Sequence, residues 1–471
     1  MVQAIIQLPT SVSAAVLCDW LDVKWICRLD SAICIKSSRP AFLELLRSVE
    51  CIGQLHIINN VQLVWANMRS IRSNYFAVYD DFSEEECEKF LRRSGPHVQN
   101  IFLPYQSNRV SIAGMAQLCH NLLRFEDRLV ADSSALECLL LLNPQLRELT
   151  LSGNSNDPVP DVALPNLVSL RLSGSAFNDS ACLTLLKRAS HLRYLAFFGT
   201  SVTSAGLIET ARFCQQLRFF RPPNVNNIDF TLLRMSPSLT MLQYISLVYC
   251  ESLSDAGIIA VAESAHALRS IHLKYTPRIT NACLVSLARH QYRTLEIFTI
   301  EERPFPFPLQ PRNTLDEDSR TFDGEAVTSF REKCIRLRVF DWKRSLELFT
   351  RYSYETIFSQ LFSADRVTTL VLTFATDEIL CTIARHCTLL QVLQLYEYVS
   401  TEMGVFSDAA ILDVLDRCNN LSTIMVRKPH QREMFMKHIA AYPKVTVPDQ
   451  ISYFSWYDFD RLYRNNGDCA K

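Results

Sequence analysis

Glycine is scarce in this chain, with 11 residues in 471 against an average usage of roughly 7%. Loops that cradle phosphate need glycines close together, because the backbone must approach the ligand unobstructed. The nearest pair here is Gly199 and Gly206, and no GxGxxG, GxxxxGKS/T or GxSxG segment occurs. The common nucleotide and hydrolase signatures are therefore absent. Metal-ligand spacing is missing too. None of the ten histidines is followed by Glu, so there is no HExxH helix, and no two of the 16 cysteines stand as CxxC. The closest cysteines, Cys381 and Cys387, are too far apart for a zinc knuckle or a redox motif. No metal or other cofactor is expected, and no catalytic group.

An excess of one charge is lacking as well. Lys plus Arg number 48 against 49 Asp plus Glu, a formal net charge of -1. Such a balance gives no general field to attract nucleic acid or an anionic membrane. No run of about twenty apolar residues is present, as a membrane-spanning helix would need. The first cation is Lys24, and Gln3, Gln7 and Pro9 interrupt the apolar start, which is unlike a secretory signal. These features lead to the expectation of a soluble, reduced protein of the cytoplasm, the nucleus or both.

A repeat is what the chain has in abundance. Leu146-Arg-Glu-Leu149-Thr-Leu151 is an LxxLxL segment that recurs at Leu167, Leu192, Leu217, Leu242, Leu268 and Leu295. Successive starts are 21, 25, 25, 25, 26 and 27 residues apart. Further copies begin at Leu337, Val367, Leu390 and Leu421, and earlier ones at Ile52, Val98 and Leu122, with a faint copy near Phe76. The second and third apolar residues lie two apart and so face one side of a short strand. After the strands come Thr203-Ser-Ala-Gly-Leu-Ile208, Ser254-Asp-Ala-Gly-Ile-Ile259, Thr280-Asn-Ala-Cys-Leu-Val285 and Ser407-Asp-Ala-Ala-Ile-Leu412. Each reads as an N-cap followed by a helix. One strand and one helix per unit, stacked side by side, form a curved α/β solenoid, or horseshoe.

Cys119, Cys214, Cys334, Cys387 and Cys418 each stand three residues before the first Leu of a strand, and Gly95 or Ala265 takes that place elsewhere. A small buried side chain fits the turn from helix into strand, whereas a reactive thiol would need an activating base each time. The pattern resembles the cysteine-containing subtype of leucine-rich repeats over about residues 52 to 447. That resemblance implies a protein-interaction solenoid, frequently attached to an F-box.

Residues 1–50 follow another grammar. Leu8-Pro9 is followed by Val12, Val16-Leu17, Trp20-Leu21, Val23, Ile26 and Leu29, with polar residues between them. Three- and four-residue intervals mark short amphipathic helices, with Pro9 opening the first, a turn at Asp22-Val23 and Pro40 at the start of a third. The segment resembles an F-box, although Cys34 is followed by Ile-Lys-Ser-Ser-Arg where that family usually has a Trp. The resemblance implies a Skp-type adaptor, and through it a cullin ubiquitin ligase, docked by Leu8, Pro9, Val12, Val16, Leu17, Leu21 and Leu29. The alternative is a helical cap that seals the end of the repeat core in a plain interaction scaffold or inhibitor.

The step from Leu295 to Leu337, 42 residues, contains a proline-rich insertion over 302–323, and an aromatic cap is expected over 448–471. Positions two and four after the first Leu of each strand should point away from the core. Tyr194, Phe219 and Tyr244 are thus expected to form an aromatic row with Arg221 beside it, and Phe198, His272 and Lys274 further out. Aromatics and Arg are enriched at binding hot spots, so this row is the expected seat of a protein target, the alternative being three rings that simply cover one another on a curved sheet. The implied function is a substrate receptor without catalytic residues of its own.

Overall fold

The computed structural model describes residues 7–21, 23–33, 38–48, 57, 59–79, 81–103, 111–127, 133–153, 162, 164–187, 189–274, 276, 278–301, 329–330, 333–337, 339–343, 368–372, 376–395, 407–426 and 429–447. The strand expected from Ile52, the insertion at 302–323 and the cap at 448–471 lie outside these residues. The chain divides into two compact units, Met1–Cys214 and Gln215–Lys471.

The first unit opens with helices α1 (Thr10–Trp20), α2 (Val23–Ala32) and α3 (Ser38–Leu46), followed by α4 (Asn60–Arg69). Strands β1 (Tyr75–Ala77), β2 (Asn100–Leu103), β3 (Arg124–Asp127), β4 (Glu148–Ser152), β5 (Ser169–Ser173) and β6 (Tyr194–Phe198) then pair in parallel, each with the next. Between and after them run α5 (Glu84–Ser94), α6 (Ile112–Leu118), α7 (Ser133–Leu142), α8 (Asp179–Leu186) and α9 (Ser204–Phe213). The faint copy near Phe76 is thus a strand.

In the second unit β7 (Phe219–Arg221), β8 (Tyr244–Val248), β9 (Ser270–Lys274), β10 (Ile297–Glu301), β11 (Val339–Lys343), β12 (Thr369–Leu372), β13 (Val392–Leu395) and β14 (Thr423–Val426) also pair in parallel in chain order. Its helices are α10 (Ile228–Met235), α11 (Asp255–Ser264), α12 (Asn281–His290), α13 (Asp377–His386), α14 (Asp408–Arg417) and α15 (Pro429–Ile439). Parallel neighbours need a crossover, and among the described residues a helix supplies it between most successive strands. The Leu triplets form the core: Leu146, Leu149 and Leu151 are buried, as are Leu268, Ile271 and Leu273. Burying each Leu or Ile contributes about 1.5–3 kcal/mol.

The turn from helix into strand holds its small residue inside. Cys119, Cys214, Cys334, Cys387 and Cys418 are buried, and each backbone N–H donates to the carbonyl four residues earlier. Burial pushes the thiols of Cys119, Cys214 and Cys334 up to about 12 and that of Cys418 to about 11. Thiols so held stay protonated at neutral pH and are poor nucleophiles. Asn143 takes the same place before β4 and uses its amide across the seam. It donates to the carbonyls of Cys119 and Leu139, each at 2.9 Å, and accepts from Leu122 N at 2.8 Å.

At the opposite edge the expected caps are present: Thr203, Ser254, Thr280 and Ser407 each precede a helix. An acid at the start of one helix grips the cap of the next. The Asp179 carboxylate accepts from Thr203 N at 2.7 Å and Thr203 Oγ1 at 2.6 Å. Asp229 accepts from Ser254 N at 3.0 Å and Oγ at 2.6 Å, and Asp255 from Thr280 N at 2.8 Å and Oγ1 at 2.5 Å. Asp377 does the same for Ser407 N at 2.5 Å. Gly257 follows from this contact, since a Cβ there would stand 2.6 Å from Asp229 Oδ1. Replacing Asp229 by Ala removes charged hydrogen bonds and should cost about 2 kcal/mol, read as a lower midpoint in denaturant unfolding. An unchanged midpoint would show that water replaces the staple without loss.

Candidate functional site

The amino-terminal helices sort the expected docking residues into two groups. On α1 the inward stripe is Ser13, Ala14 and Leu17, all buried. Leu8 and Val12 are 42% and 45% exposed, and Pro9 is exposed beside them. Val16, Leu21 and Leu29 are half-buried. Leu17 is therefore a core residue of the module and not a docking residue, a correction of the sequence expectation. The reason is geometric: α1 is apolar on more than one side, so periodicity alone does not say which stripe turns inward. Trp25 on α2 joins the exposed apolar residues, with the Arg28 guanidinium 4.6 Å from its ring centre.

A buried acid ties this module to the repeats. Asp30 lies on the inward stripe of α2 with Val23 and Ile26. Its carboxylate accepts from Arg39 Nη2 on α3 at 3.2 Å, and from Trp65 Nε1 and Arg69 Nε on α4 at 3.0 and 2.8 Å. Burial alone would raise the Asp30 carboxyl, but the hydrogen bonds from Arg69 and Trp65 and the charges of Arg69 and Arg39 outweigh it and hold it below the usual range. The sequence signal for this bridge is an acid at an inward position of an amphipathic helix. The spacing was legible, but the partners 35 and 39 residues away were not.

The expected target-binding row has a different environment from the one its spacing implied. Tyr194 lies in the first unit, and Phe219, Arg221, Tyr244, His272 and Lys274 in the second. Tyr194, Phe219, Tyr244 and His272 are buried, and only Phe198, Arg221 and Lys274 are half-buried. Phe219 stands in register with Tyr244, and Tyr244 with Ser270. The Arg171 guanidinium lies 4.8 Å from the Tyr194 ring centre. His272 Nδ1 is 3.3 Å from Ser246 Oγ on the neighbouring strand, and Ser246 is itself fully buried. Tyr194, Phe219, Tyr244 and His272 thus stand buried where the spacing had put an open face.

The corresponding face of the first unit is more accessible. Tyr75, Phe102, Arg124, Glu126, Glu148 and Arg171 are half-buried there. Arg124 Nη2 and Glu148 Oε1 pair at 2.6 Å across β3 and β4. Burial, followed by the neighbouring Tyr79 and Glu126, pushes the Tyr75 hydroxyl up to about 12, so it remains a neutral donor at physiological pH. Among the described residues no cluster of three or more His, Cys, Asp or Glu could hold a metal ion. None of the described helices is long and apolar enough to cross a membrane.

Parallel strands in chain order, with helices between most of them and a small buried residue at many of the inner turns, form an α/β solenoid of leucine-rich-repeat type, preceded by a helical module. No family model matches the chain, and no curated protein matches it. Among solved structures, the crystal structure of the Rad7 and Elc1 complex in yeast is similar, at 15% sequence identity and a TM-score of 0.47. The match covers 96% of this chain and 94% of that one.

Proposed function

We propose that this chain is a non-catalytic receptor that brings a protein target to a cullin-type ubiquitin ligase through a Skp-type adaptor. The observation that carries the reading is the exposed apolar start of the first helix, Leu8, Pro9 and Val12, on a module whose other stripe is packed. Apolar side chains grouped at one end of a small module are what a partner helix would cover. The chemistry would be supplied by other members of the assembly, and this chain's contribution is proximity, holding the target near a ubiquitin-loaded enzyme. Buried, protonated thiols suit a reducing compartment, so the cytoplasm or nucleus is the proposed place of work.

A second reading has its own support. The Asp30 bridge joins α2 and α3 to α4, as an end cap of a scaffold would be joined. One experiment separates the two. Replacing Leu8 and Val12 together by Asp should abolish co-purification with a Skp-type adaptor while leaving the circular dichroism spectrum and melting temperature unchanged, because charge would be buried only in the complex. Retention of the adaptor by a folded double variant, or no adaptor with the native chain, leaves the cap and scaffold reading standing.

A further inference from the structure

At the edge that leads into the strands, two successive turns of the second unit differ from the other described turns. The residues leading to the first strand Leu are Gln215-Gln216, Thr240-Met241, His266-Ala267, Thr388-Leu389 and Asn419-Asn420 in five repeats. In two of the three between they are Tyr292-Arg293-Thr294 and Ile335-Arg336, and the third, Asp365-Arg366, lies outside the described residues. These two turns touch, since Ile335 N donates to the Tyr292 carbonyl at 3.2 Å. Arg293 folds over the Tyr292 ring at 5.1 Å, and both Tyr292 and Ile335 are exposed. Arg289 and His290 end α12 on the same edge and Lys333 precedes the second turn. All three, with Arg293 and Arg336, are exposed. Among the described residues Arg289, Arg293, Lys333 and Arg336 make no ion pair. Among the described residues an acid beside them is the half-buried Glu296, whose N–H bonds to the Arg269 carbonyl.

Arg289 and His290 have a local reason to be there, because cations complement the carbonyl end of a helix. Arg293 lies past the end of α12, and Arg336 stands in the turn before β11, so neither has that reason. Nor does composition account for the cluster, since the whole chain carries a net charge of -1. Like charges crowded on one edge repel until an anion covers them. We infer that this edge, centred on Arg293, Arg336, Tyr292 and Ile335, is a docking surface for an acidic segment of a partner protein, independent of the adaptor reading. The patch is two turns wide and mixes Arg, Tyr and an aliphatic residue, the composition of protein hot spots. A nucleic acid backbone would instead call for a longer row of cations free of interleaved acids.

The test uses the full chain and a fluorescein-labelled peptide of about twelve residues, rich in Asp and Glu with one Leu and one Phe. Fluorescence anisotropy is read in parallel with a single-stranded DNA oligonucleotide of similar charge. The expected result is peptide binding that weakens about tenfold in the double variant Arg293→Glu and Arg336→Glu and as salt rises from about 50 to about 300 mM. Arg234→Glu, an exposed cation elsewhere in the same unit, should bind as the native chain does, and melting temperatures should agree among all three. No peptide binding, equal binding by the double variant, or tighter binding of DNA than of peptide overturns the inference.

Discussion

Replacing Phe219 by Ala should lower the stability of the full chain by about 3–5 kcal/mol, the cost of emptying a fully packed aromatic site. Phe219 has no exposed surface and lies in register with Tyr244, which is nearly as buried. The change removes a ring that fills the space between adjacent strands, and the fixed backbone of the ladder cannot close the void. Chemical denaturation followed by circular dichroism measures it, and substitution by Leu should recover about half of the loss. A folded Phe219→Ala chain of native stability would return this position to the set of binding residues. A hot-spot residue at a free surface is expected to weaken partner capture without moving the unfolding midpoint, so the two roles are distinguishable in one variant.

The second large effect is expected at Asp30. Replacing it by Ala leaves two guanidinium groups facing each other without an anion and should cost about 3 kcal/mol, the lower end for breaking a buried pair. The lower end applies because the Arg39 and Arg69 side chains keep 38% and 26% of their exposure and can draw partly on water. The pH dependence has a definite sign. A carboxylate whose folded pKa is depressed contributes its stability above the unfolded value, near 3.9, and loses it as pH falls through the folded value. The difference in unfolding free energy between the native chain and Asp30→Asn should therefore be constant from pH 7 to about pH 5 and shrink below about pH 4. A difference that stays constant from pH 7 into strong acid would mean that folding leaves the Asp30 carboxyl unshifted. Loss of the bridge should also raise protease sensitivity between α3 and α4, because those helices are joined through this carboxylate.

Much of the architecture was legible because it repeats. Each LxxLxL segment fixes which residues enter the core, and each Ser or Thr after a strand marks the next helix start. Ser254, Thr280 and Ser407 cap as their spacing implied, while Thr203 holds the cap position but turns its hydroxyl to Asp179. The cysteine positions were legible for the same reason, since one small buried residue recurs at a fixed offset. What could not be read were contacts between repeats. Asp179, Asp229 and Asp255 look like ordinary first-turn acids, favoured by their own helix dipole, and only the stacked structure shows them gripping a neighbour's cap. The burial of Leu17 and the partners of Asp30 could not be read either, because periodicity on a short helix gives stripes but not their orientation. The aromatic row failed differently: strand alternation correctly put Phe219 and Tyr244 on one face, but alternation does not report what lies over that face.

The aspartate staples have a direction. Each acid belongs to the earlier repeat and holds the cap of the later one, so a repeat that loses its follower keeps its own cap satisfied. A repeat that loses its predecessor leaves a cap N–H and a hydroxyl without their acceptor. Synthesis proceeds from the amino terminus, and each newly released segment meets a carboxylate already in position to receive its first turn. At these four seams the earlier rung carries the acceptor on which the next one is laid.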